Sequence, residues 1–247
     1  MTQRSHKRIL IGAASCADAD SALRLARILA TTGTVDLGGL FVSERTLEAR
    51  AAMPGQRIIT TSGSMILAPD KNQIRTLLQS EQRAFHENLS RFAQSVSAVW
   101  NFESRSGDLI QEVSGAARSW DILLLGYRAT HRRRGSVVVI EPPAGAPNLR
   151  ELGSALATAL DTDAVVLSIG VDPSPNHQTF SSSSALLDHL SRLHAAAVVV
   201  DLSASVFRSF QDLRALMDIA RCPIIITKPA EGELRLEHTA HIPPVPT

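Results

Sequence analysis

Aromatic residues are scarce in this 247-residue chain, at 4%. Its core must therefore come from the Ala, Val, Ile and Leu that dominate the 44% apolar content, a composition suited to helices on buried parallel strands and poorly suited to an all-β sandwich. Cysteine is scarcer still. Cys16 and Cys222 stand far apart and match no metal or redox spacing, so a disulfide scaffold is not indicated. Cys16 lies near a helix start, where a thiol pKa can be lowered; the plainer role is a buried structural cysteine. Charge of one sign is also missing. The 25 Lys and Arg balance 24 Asp and Glu, leaving no overall field to gather nucleic acid or an anionic membrane. No stretch reaches the roughly 18 apolar residues of a membrane helix, and Met1–His6 carries no apolar leader. The expectation is a cytoplasmic protein with no nucleic-acid partner and no membrane insertion.

What is present is a recurrent strand-then-helix rhythm. Arg8–Gly12 is a short apolar run ending in small residues, the form of a buried parallel strand meeting a turn. Asp18 or Asp20 can cap a helix carrying Ala22, Leu25, Ala26 and Leu29, and Val35–Val42 predicts the next strand. Ser43–Asp70 has weak periodicity, is punctuated by Pro54, Gly55, Gly63 and Pro69, and reads as a long irregular insertion with room for one helical turn. Lys71–Ser95 is a long amphipathic helix with Ile74, Leu77, Leu78, Phe85, Leu89 and Phe92 on one stripe. An edge-type strand over Val99–Glu103, a short helix over Gly107–Arg118 and a buried strand over Asp121–Gly126 follow.

Beyond the basic loop Tyr127–Gly135 the rhythm restarts. Ser136–Ile140 is a strand, and Leu149, Leu152, Leu156 and Leu160 mark a helix. Ala164–Gly170 is a strand, Val171–Ser184 a Pro- and Ser-rich loop, and Leu186, Leu187, Leu190 and Leu193 a helix. Ala195–Asp201 is a strand, Val206, Phe207, Phe210, Leu213 and Met217 mark the last helix, and Pro223–Thr227 is the closing strand.

The restart is a repeat at fixed offsets. Ile9 sets against Val137 and Val35 against Ala164, 128 and 129 residues apart, whereas Asp121–Leu125 sets against Ala196–Val200 at an offset of 75. The second half therefore lacks the segment that holds the insertion and the long helix. The first half has no counterpart to the last helix and closing strand. The predicted class is α/β, with two unequal Rossmann-like parallel-sheet halves covered by helices: residues 6–135 with the insertion 43–70, residues 136–230, and a polar tail 231–247. The strand 136–140 fits either half.

Four segments resemble the universal stress protein family in its tandem form: Lys7–Gly12 with its helix, Val35–Val42, Gly107–Gly126, and Arg221–Ile226. The resemblance implies a non-catalytic stress-response or regulatory protein that works through an unknown protein partner. It also implies a homodimer formed through the closing strand, with Ile224, Ile225 and Ile226 as its edge. ATP-binding members of the family carry an acidic residue at the end of the first strand and a glycine loop after the fourth, whose amides approach phosphate oxygens. Here Ala13 or Ala14 holds the acidic position. Gly126 matches the first glycine of the loop, Ala129 stands at the second, and Gly135-Ser136 follows after only five residues. In the second half Glu141 can replace the acid, but Asp201–Ser205 contains no glycine.

The candidate nucleotide site is thus Gly12, Ala13, Ser15, Val42, Gly126, Arg128, Arg132, Gly135 and Ser136, with ATP or AMP as ligand and a sensor or slow ATPase as the alternative function. The run His131–Arg134 suits a phosphate, but charge runs are usually hydrated surface. No catalytic residues are assigned, because no nucleophile elbow, Walker loop or dinucleotide fingerprint occurs. No metal is expected either: His189 and His194 do not share a helical face, and His86 stands alone. The insertion Ser43–Asp70 is a further candidate docking surface.

Overall fold

The computed structural model describes residues 6–31, 33–44, 57–59, 65–67, 69–127, 135–142, 144–170, 177–202, 207 and 209–228. The first apolar run forms β1 (Lys7–Ala13), followed by α1 (Cys16–Ala30) and β2 (Val35–Glu44). Within the insertion, β3 (Arg57–Ile59) pairs antiparallel with β4 (Met65–Leu67), so the reading of this segment as irregular is corrected. The pair is too short for its alternation to stand out from the glycines and proline around it. The long helix α2 (Lys71–Ser95) has the predicted bounds. Asp70 accepts from the Gln73 amide while the Gln73 side chain accepts from Asp70 N–H, a reciprocal cap that fixes the start. Then come β5 (Trp100–Gly107), α3 (Leu109–Ala116) with a 3-10 turn at Ala117–Ser119, and β6 (Ile122–Leu125).

The second run comprises β7 (Ser136–Glu141), α4 (Pro147–Ala159), β8 (Ala164–Ile169), β9 (His177–Phe180), α5 (Ser183–Leu190), β10 (Ala195–Asp201), α6 (Phe210–Ala220) and β11 (Ile224–Thr227). Strand β9 lies where the sequence reads as a loop. It has four mostly polar residues and, among the described residues, pairs with β8 alone, so no apolar run marks it. Val206 and the tail 231–247 fall outside the described residues.

Among the described residues nine strands form one sheet in the order β5-β2-β1-β6-β11-β10-β7-β8-β9. Each neighbouring pair is parallel except β6 with β11. The first four strands thus run third-second-first-fourth, and the last five repeat that order and add a fifth. Register follows the sequence repeat: Ile9 lies opposite Ile122 and Val137 opposite Ala197, the positions that the offsets of 128 and 75 bring together. Strand β7 sits between β10 and β8, so residues 136–141 belong with the second set. The two sets meet at β11, whose one side pairs with β10 and whose other side pairs antiparallel with β6.

Helices cover both faces. On one face α1, α2 and α4 bury Leu23, Leu29, Phe85, Leu89, Phe92, Leu149 and Leu156 against Ile9, Ile11, Leu124, Val139 and Val199. On the other, α3, α5 and α6 bury Val113, Leu186, Leu213 and Leu216 against Leu10, Leu123, Val138 and Val198. Sheet strands covered on both faces are apolar at every position, which is why they appear as runs and not as alternation. Among the described residues no helix is long and apolar enough to cross a membrane.

Candidate functional site

Open α/β sheets bind ligands at the carboxyl ends of their strands, beside the N-termini of the helices that follow. In the first set, β1 ends at Ala13 and the chain turns through Ala14 into Ser15, the N-cap of α1. Ser15 Oγ accepts from the Asp18 amide at 3.1 Å and donates to Asp18 Oδ2 at 2.6 Å. The Cys16 amide, one of the free donors of the helix start, donates to Glu81 Oε2 at 2.6 Å. Glu81 comes from the middle of α2, so a carboxylate of the chain itself holds the place where a bound anion would gain most from the helix dipole.

Gly126 follows β6 and donates its amide to Gly12 O at 2.9 Å. A Cβ at Gly126 would stand 2.3 Å from Asp18 O, so the first turn of α1 lies directly on this glycine. The next amide, Tyr127 N–H, donates to Ser21 Oγ at 3.1 Å, and Ser21 Oγ donates to Asp18 O at 2.6 Å. Here glycine serves close backbone packing of helix on strand.

Of the predicted nucleotide residues, the structure therefore brings Gly12, Ala13, Ser15 and Gly126 to one place. The others are elsewhere. Val42 is fully buried in the core of the opposite face, while Ala13 packs on the α1 side. Gly135 and Ser136 begin β7, separated from β6 by β11 and β10, so three strand spacings, about 14 Å, part them from Gly126. Gly135 is pressed against the start of β10, where a Cβ would meet His194 O at 2.4 Å, and Ser136 N–H donates to that same oxygen at 2.9 Å. Gly126 and Gly135-Ser136 cannot act as the two ends of one phosphate cradle, and the expectation that they do is corrected. Arg128 and Arg132 lie outside the described residues.

The second set repeats the carboxylate arrangement. Glu141 ends β7 with its side chain 2% exposed and accepts from Ala146 N–H at the α4 N-terminus at 2.6 Å and from Arg150 Nε at 2.7 Å. The Glu141 that sequence offers as a ligand acid is thus committed to its own helix. Beside it, Ser168 and Asp201 are buried at the ends of β8 and β10. Ser168 Oγ and Thr227 Oγ1 are buried without a hydrogen-bond partner among the described residues.

The predicted dimer edge is also corrected. Ile224, Ile225 and Ile226 are each 0% exposed, with strands of the same chain on both sides. Sequence marks a closing strand but carries no sign that the first half, lacking its own, would take the other side of it. The thiols are both shifted away from the thiolate form. Cys16 is raised above its ordinary value by burial and by the nearby Asp20 and Glu81 carboxylates, opposite to the lowering a helix start can give. Burial pushes Cys222 up to about 12. Glu81 escaped the sequence reading because nothing local links it to Cys16, 65 positions away.

No family model matches the chain, and no curated protein matches it. Among solved structures it is similar to a universal stress protein from Archaeoglobus fulgidus DSM 4304, at 9% identity over 89% of this chain and 96% of the other, with a TM-score of 0.48. It is also similar to the cytoplasmic domain of a prokaryotic cation chloride cotransporter, at 9% identity over 93% of this chain and 99% of the other, with a TM-score of 0.41. These are likenesses of chain path. The α/β class itself stands on the nine-stranded sheet and six α-helices of the described residues.

Proposed function

We propose that this chain is a non-catalytic regulatory protein of the stress-response type, built on a degenerate tandem universal stress protein fold, which acts by binding protein partners. The observation that carries the reading is the paired occupation of the two helix N-termini. Glu81 holds the α1 amide and Glu141 the α4 amide, each at 2.6 Å, so at both helix starts a carboxylate of the chain takes the position that favours an anion. A bound nucleotide would have to displace a carboxylate already hydrogen-bonded there, and the backbone of Asp18 packs directly on Gly126.

The alternative, an ATP or AMP sensor, retains Gly126 as its matching position but places Gly135-Ser136 three strands away. Calorimetric titration with ATP and with AMP decides between them. We expect no heat and no change in melting temperature with either. Ligand at 100 times its dissociation constant would add about 2.7 kcal/mol of stability, and a rise of that order would replace this reading by the sensor.

A further inference from the structure

A trough of about 910 Å³ runs between α1 and α2, from Ala17 and Asp20 near the start of α1 to Arg27 in its last turn. Arg24 and Arg27 line it from α1, and Arg91 from α2. Three residues apart on one helix, Arg24 and Arg27 share a face. Among the described residues none of these three arginines makes an ion pair. Two of them are held in place by uncharged neighbours: the Arg27 guanidinium lies 5.4 Å from the centre of the Phe92 ring, and Arg91 donates to Asn88 Oδ1. The lining has one acid, Asp20, whose Oδ1 accepts from Asn88 Nδ2 at 2.7 Å. The trough is therefore acidic at its Asp20 end and strongly basic along the rest.

We propose that this trough docks an acidic segment of a partner protein. Arginine forks bind carboxylates in two-point contacts, and pinning two of the side chains in advance lowers the ordering cost of binding. All three arginines are exposed and are spread over two helices, whereas a compact anion needs groups that converge on an enclosed point. An extended chain with carboxylates at intervals matches the spread. Leu23 and Phe92, each 2% exposed, close the floor beneath the arginines. Asp20 sets the direction, with the segment's acidic residues toward Arg24, Arg27 and Arg91. This names a partner class for the partner-binding reading above and rests on it.

The test is fluorescence polarisation of the full chain with a fluorescein-labelled peptide of alternating Glu and Leu. We expect saturable binding at low salt that weakens at about 0.5 M salt. It should fall by about tenfold or more in the Arg24→Glu/Arg91→Glu double variant, with an unchanged melting temperature because both positions are exposed. The exposed pair Arg118→Glu/Arg192→Glu, outside the trough, should retain binding. Absence of saturable binding, an equal loss in the Arg118/Arg192 variant, or binding of inorganic tripolyphosphate without binding of the peptide overturns the proposal. A silent nucleotide titration alongside a failed peptide would remove the trough and leave the broader reading standing.

Discussion

Glycine and cysteine at this fold's candidate site do structural work. Gly126 was legible as a ligand-loop glycine, yet what demands it is the backbone of Asp18, 2.3 Å from the position of a Cβ. Gly126→Ala should cost about 1–3 kcal/mol, through displacement of the α1 first turn, in a urea unfolding comparison with the unsubstituted chain. Cys222 gives a pH signature. Its folded pKa, about 12, lies above the ordinary 9.0 because burial disfavours the thiolate. The unfolded thiol ionises first, so its contribution to stability is fully present below pH 9.0 and is lost as pH rises toward about 12. The urea midpoint of the natural chain should therefore fall between about pH 8 and about pH 10 relative to that of a Cys222→Ala variant measured in parallel. A constant difference between the two would mean that the thiol is not buried as described.

At the scale of elements, β11 has the most consequence. Sequence identified Ile224–Thr227 as a strand and, through the family resemblance, as an outer edge. In the fold it lies between β10 and β6 and is the seam of the sheet. The two placements predict opposite outcomes for one substitution. At an outer edge, Ile225→Asp would give a folded protein that no longer pairs. At the seam it buries an unpaired carboxylate at a 0% exposed position and should cost on the order of 4 kcal/mol or more, abolishing cooperative unfolding as followed by circular dichroism. Helix α2 shows a milder difference between pattern and burial. Its stripe is continuous in sequence, yet Phe85, Leu89 and Phe92 are buried while Leu77 is 54% exposed, so only the later turns of the helix contribute to the core.

For the molecule as a whole, one closing strand serves two strand sets. The pairing expected between subunits is made inside the chain, so sedimentation at micromolar concentration should return a species near 26.6 kDa. A stable dimer would require contact through a surface other than β11. The sequence by itself determined the α/β class, the buried strands, the α2 bounds and the repeat, because local periodicity and fixed offsets are properties of the chain read in order. It also located Gly12, Ser15 and Gly126, which do meet. Only the tertiary structure decided that Glu81 and Glu141 occupy the helix starts, that Gly135 lies three strands from Gly126, and that β11 is shared. Each of these is a pairing between segments distant in sequence, fixed by which backbone edges and amides were left for another part of the chain to satisfy.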